Sequence, residues 1–582
     1  LGLAGGAVSW QVDVIHPPAP PPSNPPSPAP PPSPPSPPPL PQSPPPPMSP
    51  KGRLPGFAEY YDGCDATACP FGCWESKWSN FYTWVGQTKN LGADVDDALY
   101  VWPGFGSRVT IKRCRRVVVD IDIERVQLLS LVVWGELLIP DRGVEMRVAM
   151  RAICMRVKPG GRIVVGAPER PITGSVEFLL AGDELAEIAE CDGMAGHRFD
   201  VEGASTLGGL PDGVPLPGGE VAMYGDTMEG PMWSKLRATA AAGDRTLILA
   251  GRLAFHPDDE VVIGTTAMDG SETELRTVAS VRYLPVSNGF DTELTLESGL
   301  DHDHLGVSET HGSHTLEMRA EVGLYNRGHT TAHPRARRHG GLPAIRLAGD
   351  DVSVPGMRFK TMRRSQFGLL YVAQKGSRTT LHGVTIEDGG GYKSPVVALG
   401  LIEAGITHIP IVNCYGACDV RNAVVVPNTG DGLAVKGWGA DASVVENVVM
   451  HHTFTALQLG GEVTVRDVAI FDVIDKERGQ NFFTDLWPAA SGVVFYGGYQ
   501  RGGCGRASVN NVAVAGSVGP GITFAGGGFC FPDGHFGGLT FHGVQHGFTV
   551  KGTVRSHDPN GVVRGFTAWN VRDIGIWGYN AG

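Results

Sequence analysis

The second half of the chain repeats a short unit: an apolar strand, a residue that tolerates a left-handed turn, and a second short strand. Asp419–Val426 turns around Asn422, Val444–Met450 around Asn447 and Val463–Phe471 around Asp467. Ser508–Val514 around Asn511, Leu539–Val544 around Gly543 and Val562–Trp569 around Gly565 continue the series. The steps between these turn residues are 25, 20, 44, 32 and 22, which fit one or two coils of about 20–25 residues each. Asn and Gly reach positive φ at little cost, as a sharp turn between coil faces requires. One coil cannot bury its apolar edge alone and must stack on its neighbours, so the spacing predicts a parallel β-helix, expected to be right-handed. A β-sandwich with irregular hairpins is the competing architecture.

The first half is also rich in strand signals. Val117–Ile123 and Leu128–Ile139 alternate or run apolar with β-branched residues, Gly160, Gly161 and Gly166 punctuate Met155–Val165, and Ser175–Leu180 leads into Gly182. Helical periodicity is scarce, and Trp233–Ala242, which ends at Gly243, is the clearest candidate for a short helix. The class that accommodates the rest is all-β. At 582 residues the chain exceeds a single compact core, which stops growing near ~250–300 residues. Its 48 basic and 60 acidic residues give a formal charge of −12, against a nucleic-acid binder with a basic stripe. No apolar run approaches the ~18 residues of a membrane span. The nearest, Val126–Ile139, is broken by Gln127, Ser130, Gly135 and Glu136. Leu1–Val8 lacks a basic flank, so no signal peptide is read there.

Pro17–Pro50 holds 22 of the 45 prolines in 34 residues, with no charge. Without N–H donors it is expected to be disordered or an extended polyproline II rod of roughly 100 Å. It fits a stiff spacer, or a glycosylated stalk like the hydroxyproline-rich glycoproteins of plant and green-algal walls. The ten cysteines are Cys64, Cys69, Cys73, Cys114, Cys154, Cys191, Cys414, Cys418, Cys504 and Cys530. None forms a Cys-x-x-Cys pair, so a zinc ribbon is not expected. An even, clustered set beside a proline-rich stalk points to an oxidising compartment. At least two disulfides are expected: Cys64, Cys69 or Cys73 with Cys114, Cys154 or Cys191, and Cys414 with Cys418 or Cys504 with Cys530.

Several clusters suggest chemistry. Asp301-His302-Asp303-His304 would place His302 and His304 on one face of a strand as a weak metal-ligand pair, or form a solvated turn. Arg335, Arg337 and Arg338 form a basic stretch suited to the carboxylates or sulfates of an acidic polysaccharide, or a plain insertion between strands. Asp431 lies in an Asn-Thr-Gly-Asp-Gly stretch that superficially resembles a polygalacturonase motif, yet the extra Gly430 breaks the spacing and the companion motifs are missing. Lys436, Trp438, His451 and His452 follow, where an indole stacks on a sugar ring or caps the hydrophobic stack. No cofactor and no catalytic residue are assigned.

Trp84, Val109–Ile111, Val117–Asp120 and Leu131–Leu137, then Met155–Gly166, Pro171, Leu180–Gly182, Val221–Gly225, Trp233 and Leu236, follow a recognisable order. This order resembles the G-eight domain of fibrocystin, fibrocystin-L and the cell-surface hyaluronidase group. Asp244–Thr266, Glu272–Val281, His304 and Arg319–Leu324 extend the resemblance, which implies a G-eight β-domain followed by a parallel β-helix. Members linked to hyaluronan breakdown carry a histidine-rich Tyr-Pro-Ile-His-Phe-His-like stretch. Leu370–Lys375 here lacks both histidines, so the resemblance transfers no catalytic residue.

The expected organisation is a remnant of an upstream segment at 1–16, a proline-rich stalk or linker at 17–50 and a Cys-rich entry segment at 51–77. A G-eight-like β-domain at 78–225, a connecting β region at 226–341 and parallel β-helix repeats at 342–582 follow. The expected function is an extracellular or cell-surface β-helical protein, secreted or the ectodomain of a larger membrane protein. It is expected to be non-catalytic and to bind a glycan or a matrix or cell-surface protein, or to serve a structural role. The alternative is a polysaccharide hydrolase or lyase.

Overall fold

The computed structural model describes residues 74–84, 88–89, 102–180, 198–205, 216–225, 230–326, 345–349, 370–372, 376–387, 391–392, 408–426, 431–437, 442–473, 491–496, 507–525, 536–551 and 566–579, except single positions 105, 144, 254, 269, 313 and 454. The proline-rich segment and the cysteines at 64, 69, 73, 191, 504 and 530 lie outside them. Most of the described strands form a parallel β-helix whose coils lay down three strands in turn, one per face. The first face runs from Ser107–Ile111 through Arg198–Val201, Leu370–Val372, His408–Cys414, Asp431–Gly437 and Thr455–Gly461 to Ser491–Tyr496. The second runs from Trp74–Lys77 through Arg115–Val118, Glu136–Ile139, Arg162–Val165, Glu220–Tyr224 and Arg378–His382 to Ala417–Val426 and beyond. The third includes Ser175–Leu180, Ile345–Gly349 and Val384–Glu387. The pairings from coil to coil along these faces are parallel, with two-residue antiparallel additions at Thr88–Lys89 and Gly391–Tyr392, which removes the sandwich alternative.

Period-two alternation turns every second side chain inward. On the second face Ile139, Val165, Met223, Leu381, Val420, Val445, Val465 and Val509 stack in register as one buried column. Each such side chain contributes about 1.5–3 kcal/mol of burial. The turn between second and third faces is a ladder of left-handed residues: Gly383 at φ 64°, Asn422 at 50°, Asn447 at 51°, Asp467 at 56°, Asn511 at 52° and Gly538 at 63°. Amide side chains link its rungs, Asn447 Nδ2 donating to Asn422 Oδ1 and Asn511 Nδ2 to Asp467 Oδ1, each at 2.6 Å.

A second left-handed ladder separates the third face from the first: His452, Asp472, Gly516, Gly543 and Asn570. Gly543 therefore belongs to this ladder, and Gly538 is the rung that follows Asn511. The 44-residue step is one coil, because Val463–Val473 pairs directly with Ala507–Ala525. Gly565 lies outside the described residues.

Parallel stacking reaches back to Trp74, so the region expected to be a separate G-eight β-domain forms the first coils of the same β-helix. Its glycines have a steric reason. At the turn from first to second face, a Cβ on Gly135 would meet the carbonyl oxygens of Arg115 and Lys112 at 2.2 and 2.4 Å, and one on Gly161 would meet that of Val133 at 2.2 Å. Only glycine lets successive turns approach this closely.

The chain leaves the β-helix after Glu220–Tyr224 and re-enters at Ile345–Gly349. Residue 342 thus lies just before a re-entry into the stack, which begins far upstream. Between exit and return lies a six-stranded antiparallel sheet, in the order Trp233–Lys235, Glu321–Asn326, Glu260–Ile263, Glu274–Val286, Gly289–Leu296 and Thr246–Leu249. The expected helix at Trp233–Ala242 is instead extended: Trp233–Lys235 pairs with Glu321–Gly323, and Leu236 and Ala240 make bridges to Leu249 and His304. The three- and four-residue apolar spacing comes from successive bridge contacts that bury Trp233, Leu236 and Ala240 in one core.

This inserted sheet covers the third face. Val424, Val426, Val449, Ala469, Phe471, Ala513 and Ala515 point out of the β-helix into the core of the sheet, while their neighbours Val448, Met450, Val468, Ile470, Val512 and Val514 point inward. Polar contacts fix the docking. Met232 N–H donates to Asn447 Oδ1 at 2.8 Å, Trp233 Nε1 to the Asp467 carbonyl at 2.9 Å and Asn570 Nδ2 to the Thr266 carbonyl at 2.9 Å. Glu321 is fully buried between Lys235, 3.6 Å away, and His542, 2.5 Å away, whose ring stacks on Trp569. Burial pushes the Glu321 carboxyl up, but the charge and hydrogen bond of His542, aided by Lys235, outweigh it and hold it below its ordinary value.

Candidate functional site on the second face

With the third face covered, the second face offers an exposed polar surface. The residue just before each turn of the first ladder points outward here, so His382, Arg421, Glu446, Arg466 and Asn510 form an in-register column headed by Tyr224. Neighbouring strands lie ~4.8 Å apart, so like charges on adjacent rungs would repel. The signs alternate accordingly: Arg421 Nη1 lies 3.3 Å from Glu446 Oε2, and Arg466 Nε lies 2.6 Å from Glu446 Oε1. A parallel column in the earlier coils, Arg116, Glu136, Arg162, Glu220 and Arg378, alternates in the same way. There Arg116 pairs with Glu136 at 3.1 Å and Arg162 with Glu220 at 2.9 Å.

Asp419 joins the column from the adjacent outward position. Its Oδ1 accepts from Arg421 Nε at 2.6 Å, and His382 Nε2 lies 3.3 Å from the same oxygen. Partial burial raises the Asp419 carboxyl, but His382 and Arg421 more than offset this and hold it below the ordinary carboxylate value. Tyr224 sits edge-on to His382, ring centres 5.5 Å apart. Burial first, then Glu220 and Asp419, push its phenol up, so it remains a protonated donor. Arg421, Glu446 and Arg466 keep 36, 22 and 49% of their side-chain surface exposed. The result is a charge-balanced row of planar donors and acceptors, suited to hydroxyl groups and poor as a source of a free acid. None of these residues stands out in the sequence by type, although His382, Arg421, Glu446, Arg466 and Asn510 each hold the position preceding a turn residue.

The residues singled out from sequence are distributed differently. Asp431 and Lys436 lie on a first-face strand, whereas His451 lies on the third-face part of Ser443–Thr453 and His452 at the turn that follows it. His451 is buried at 8% exposure, edge-on to Tyr325 of the inserted sheet. Burial drives its imidazole down to about 4, against the opposing pull of Asp472. It packs as a neutral ring and offers no surface to a sugar. His452 Nδ1 lies 2.8 Å from Asp472 Oδ2 at the second ladder. Arg335, Arg337, Arg338 and Trp438 lie outside the described residues.

The candidate metal pair is replaced by a carboxylate clamp. His304 is fully buried, with Nδ1 2.9 Å from the Gly264 carbonyl and Nε2 3.0 Å from Glu274 Oε1. The Asp301 and His302 backbone N–H groups donate to the same Glu274 carboxylate at 2.9 and 2.7 Å, and Arg276 also contacts it. Both nitrogens of His304 are thereby occupied. Cys414 and Cys418 form a disulfide across the turn from first to second face, and Cys114 and Cys154 each take part in a further disulfide with a cysteine outside the described residues. Among the described residues no helix is long and apolar enough to cross a membrane.

Residues 96–237 match the G8 domain family. This stretch takes in the first coils and the exit into the inserted sheet. Fibrocystin-L of Mus musculus is 26% identical over 417 residues, covering 64% of this chain and 8% of that protein. Fibrocystin-L of Homo sapiens is 28% identical over 258 residues, and fibrocystin of Canis lupus familiaris 27% over 253, each covering 43% of this chain and 5% of the relative. The chain therefore corresponds to a small part of these proteins. The tailspike gp61 of Pseudomonas phage phi297 aligns over 75% of this chain and 66% of its own, at 10% identity and a TM-score of 0.17, a likeness that carries no argument.

Proposed function

We propose that this chain is an extracellular or cell-surface β-helical module that binds glycan or matrix partners without cleaving them. The observation that carries the reading is the second-face column, where Asp419 and Glu446 are each held by guanidinium groups. A glycosidase needs one carboxyl group that stays protonated and a second placed as base or nucleophile. Asp419, held below its ordinary range, does not meet the first requirement. A row of oriented donors and acceptors does suit sugar hydroxyls. The disulfides support an oxidising, extracellular setting, as does the likeness to fibrocystin-L. Arg335, Arg337 and Arg338 remain proposed contacts for an acidic partner, together with Asp431, Lys436, Trp438 and His452.

The test is retention on a panel of immobilised neutral and acidic polysaccharides, followed by sizing of the recovered polymer. Retention without shortening is expected, weakened by the double variant Arg421→Ala and Arg466→Ala. Short oligosaccharides would favour the alternative, a polysaccharide hydrolase or lyase. Absence of both retention and cleavage would leave a purely structural role.

A further inference from the structure

The turn from first to second face in the first coils carries Lys112, Arg113, Cys114, Arg115 and Arg116, four cations in five residues of a chain whose formal charge is −12. Cys114, at φ 57° and disulfide-bonded, fixes the turn. The Arg116 side chain is buried against Glu136, and Glu75 approaches it at 3.9 Å, while Lys112 and Arg115 are exposed. The close approach at Gly135 sets this turn directly on Trp134 of the next coil. Arg113 lies over the Trp134 ring at 5.7 Å, and Lys158 from the third coil approaches it at 5.5 Å while also pairing with Glu202 at 2.7 Å. On the neighbouring strand the Trp74 indole, 68% exposed, lies 5.7 Å from the Arg115 guanidinium.

We infer that this corner is a binding site for anionic sugar residues, uronate or sulfated, separate from the second-face column. The inference rests on the glycan reading above and names a ligand class that the charge-balanced column does not select. Arg115 and Lys112 would take the carboxylate or sulfate through charge-assisted hydrogen bonds, and the exposed Trp74 face would stack on the C–H face of the ring. Indoles already flanked by cations are held as platforms, so little rotamer freedom is lost on binding. The geometry favours a sugar over nucleic acid. This cluster occupies one corner of three coils in an acidic chain, and its Arg116 and Lys158 are paired with Glu136 and Glu202, whereas nucleic-acid binders carry an extended basic stripe.

The experiment uses the full chain on three immobilised ligands: a neutral polysaccharide, a uronate polysaccharide and single-stranded DNA. Wild type is compared with the double variant Lys112→Gln and Arg115→Gln and with Trp74→Ala, each checked for unchanged circular dichroism and disulfide content. Expected is a loss of about tenfold in affinity for the uronate polymer in the double variant and a smaller loss in Trp74→Ala, with the neutral polymer retained as before. Uronate retention should also fall with salt in wild type. Binding of the neutral polymer alone, or uronate binding that both variants leave unchanged, overturns the corner site and leaves the glycan reading standing. DNA retained as tightly as uronate overturns the sugar assignment. Failure to retain either polysaccharide overturns both readings.

Discussion

At the residue scale, the left-handed corners were legible because the backbone restricts them to few residue types. A position at φ near 50° costs an ordinary L-residue about 1–2 kcal/mol, so asparagine, aspartate and glycine gather there. Asn422, Asn447, Asp467 and Asn511 stood out in the sequence for that reason. Histidine at the same φ in His452 did not stand out as a turn residue, and Gly543, the rung of the second ladder that did, fell into the first series. Pairings across long sequence distances, such as Glu321 with His542, leave no local pattern at all. His451 shows how burial overrides a polar side chain and also gives a pH prediction. Folded, it takes up a proton only near pH 4; unfolded, near pH 6.5. Between these values the unfolded state binds more protons, so stability rises with pH, by on the order of 3 kcal/mol across the window. This contribution is complete above the upper value and is lost as pH falls toward the lower. Urea denaturation of wild type and His451→Gln at pH 6.5 and 4.5 should show a shallower pH dependence in the variant. An unchanged dependence would remove His451 from the titration.

At the scale of the element, strand existence was legible from period-two alternation, while the partner of each strand was not. Register emerges from stacking: the column one residue before each turn alternates in charge because neighbours sit ~4.8 Å apart. The Trp233–Ala242 segment failed as a helix because its apolar spacing serves three bridges to different partners. The alternation makes Glu446 a sensitive point, since it lies between Arg421 and Arg466. Glu446→Lys should lower stability by about 1 kcal/mol, modest because the arginines are partly exposed, and Glu446→Gln by less. The gap between the two variants should narrow as salt is raised. Thermal midpoints at low and high ionic strength measure it; equal losses at both would show that the charge order of the column is irrelevant to stability.

At the scale of the whole molecule, the β-helix was legible in its later half, where turn residues recur, and hidden in its early half. There, the sequence between successive strand signals varies in length, as across Asp183–Gly218, and masks the period. The inserted sheet was read only as a connecting region, because its docking depends on outward apolar residues of the third face that look like any buried strand. Those residues make the two parts share one core. Phe471 is its centre: it is fully buried and packs against the positions where a Cβ on Gly323 or Gly264 would meet its ring at 2.9 and 3.2 Å. Removing its ring takes contacts from both the β-helix and the sheet, at a cost of about 3–5 kcal/mol. Local opening in Phe471→Ala should therefore speed amide exchange in Val463–Val473 and, together with it, in Glu260–Ile263 and Glu321–Asn326. The first coils, Ser107–Ile111 and Glu136–Ile139, lie remote from this core and should keep their protection. Faster exchange confined to the β-helix strand would mean that the sheet holds its own structure and merely rests on the third face. Faster exchange throughout, first coils included, would mean that the stack opens as a single cooperative unit.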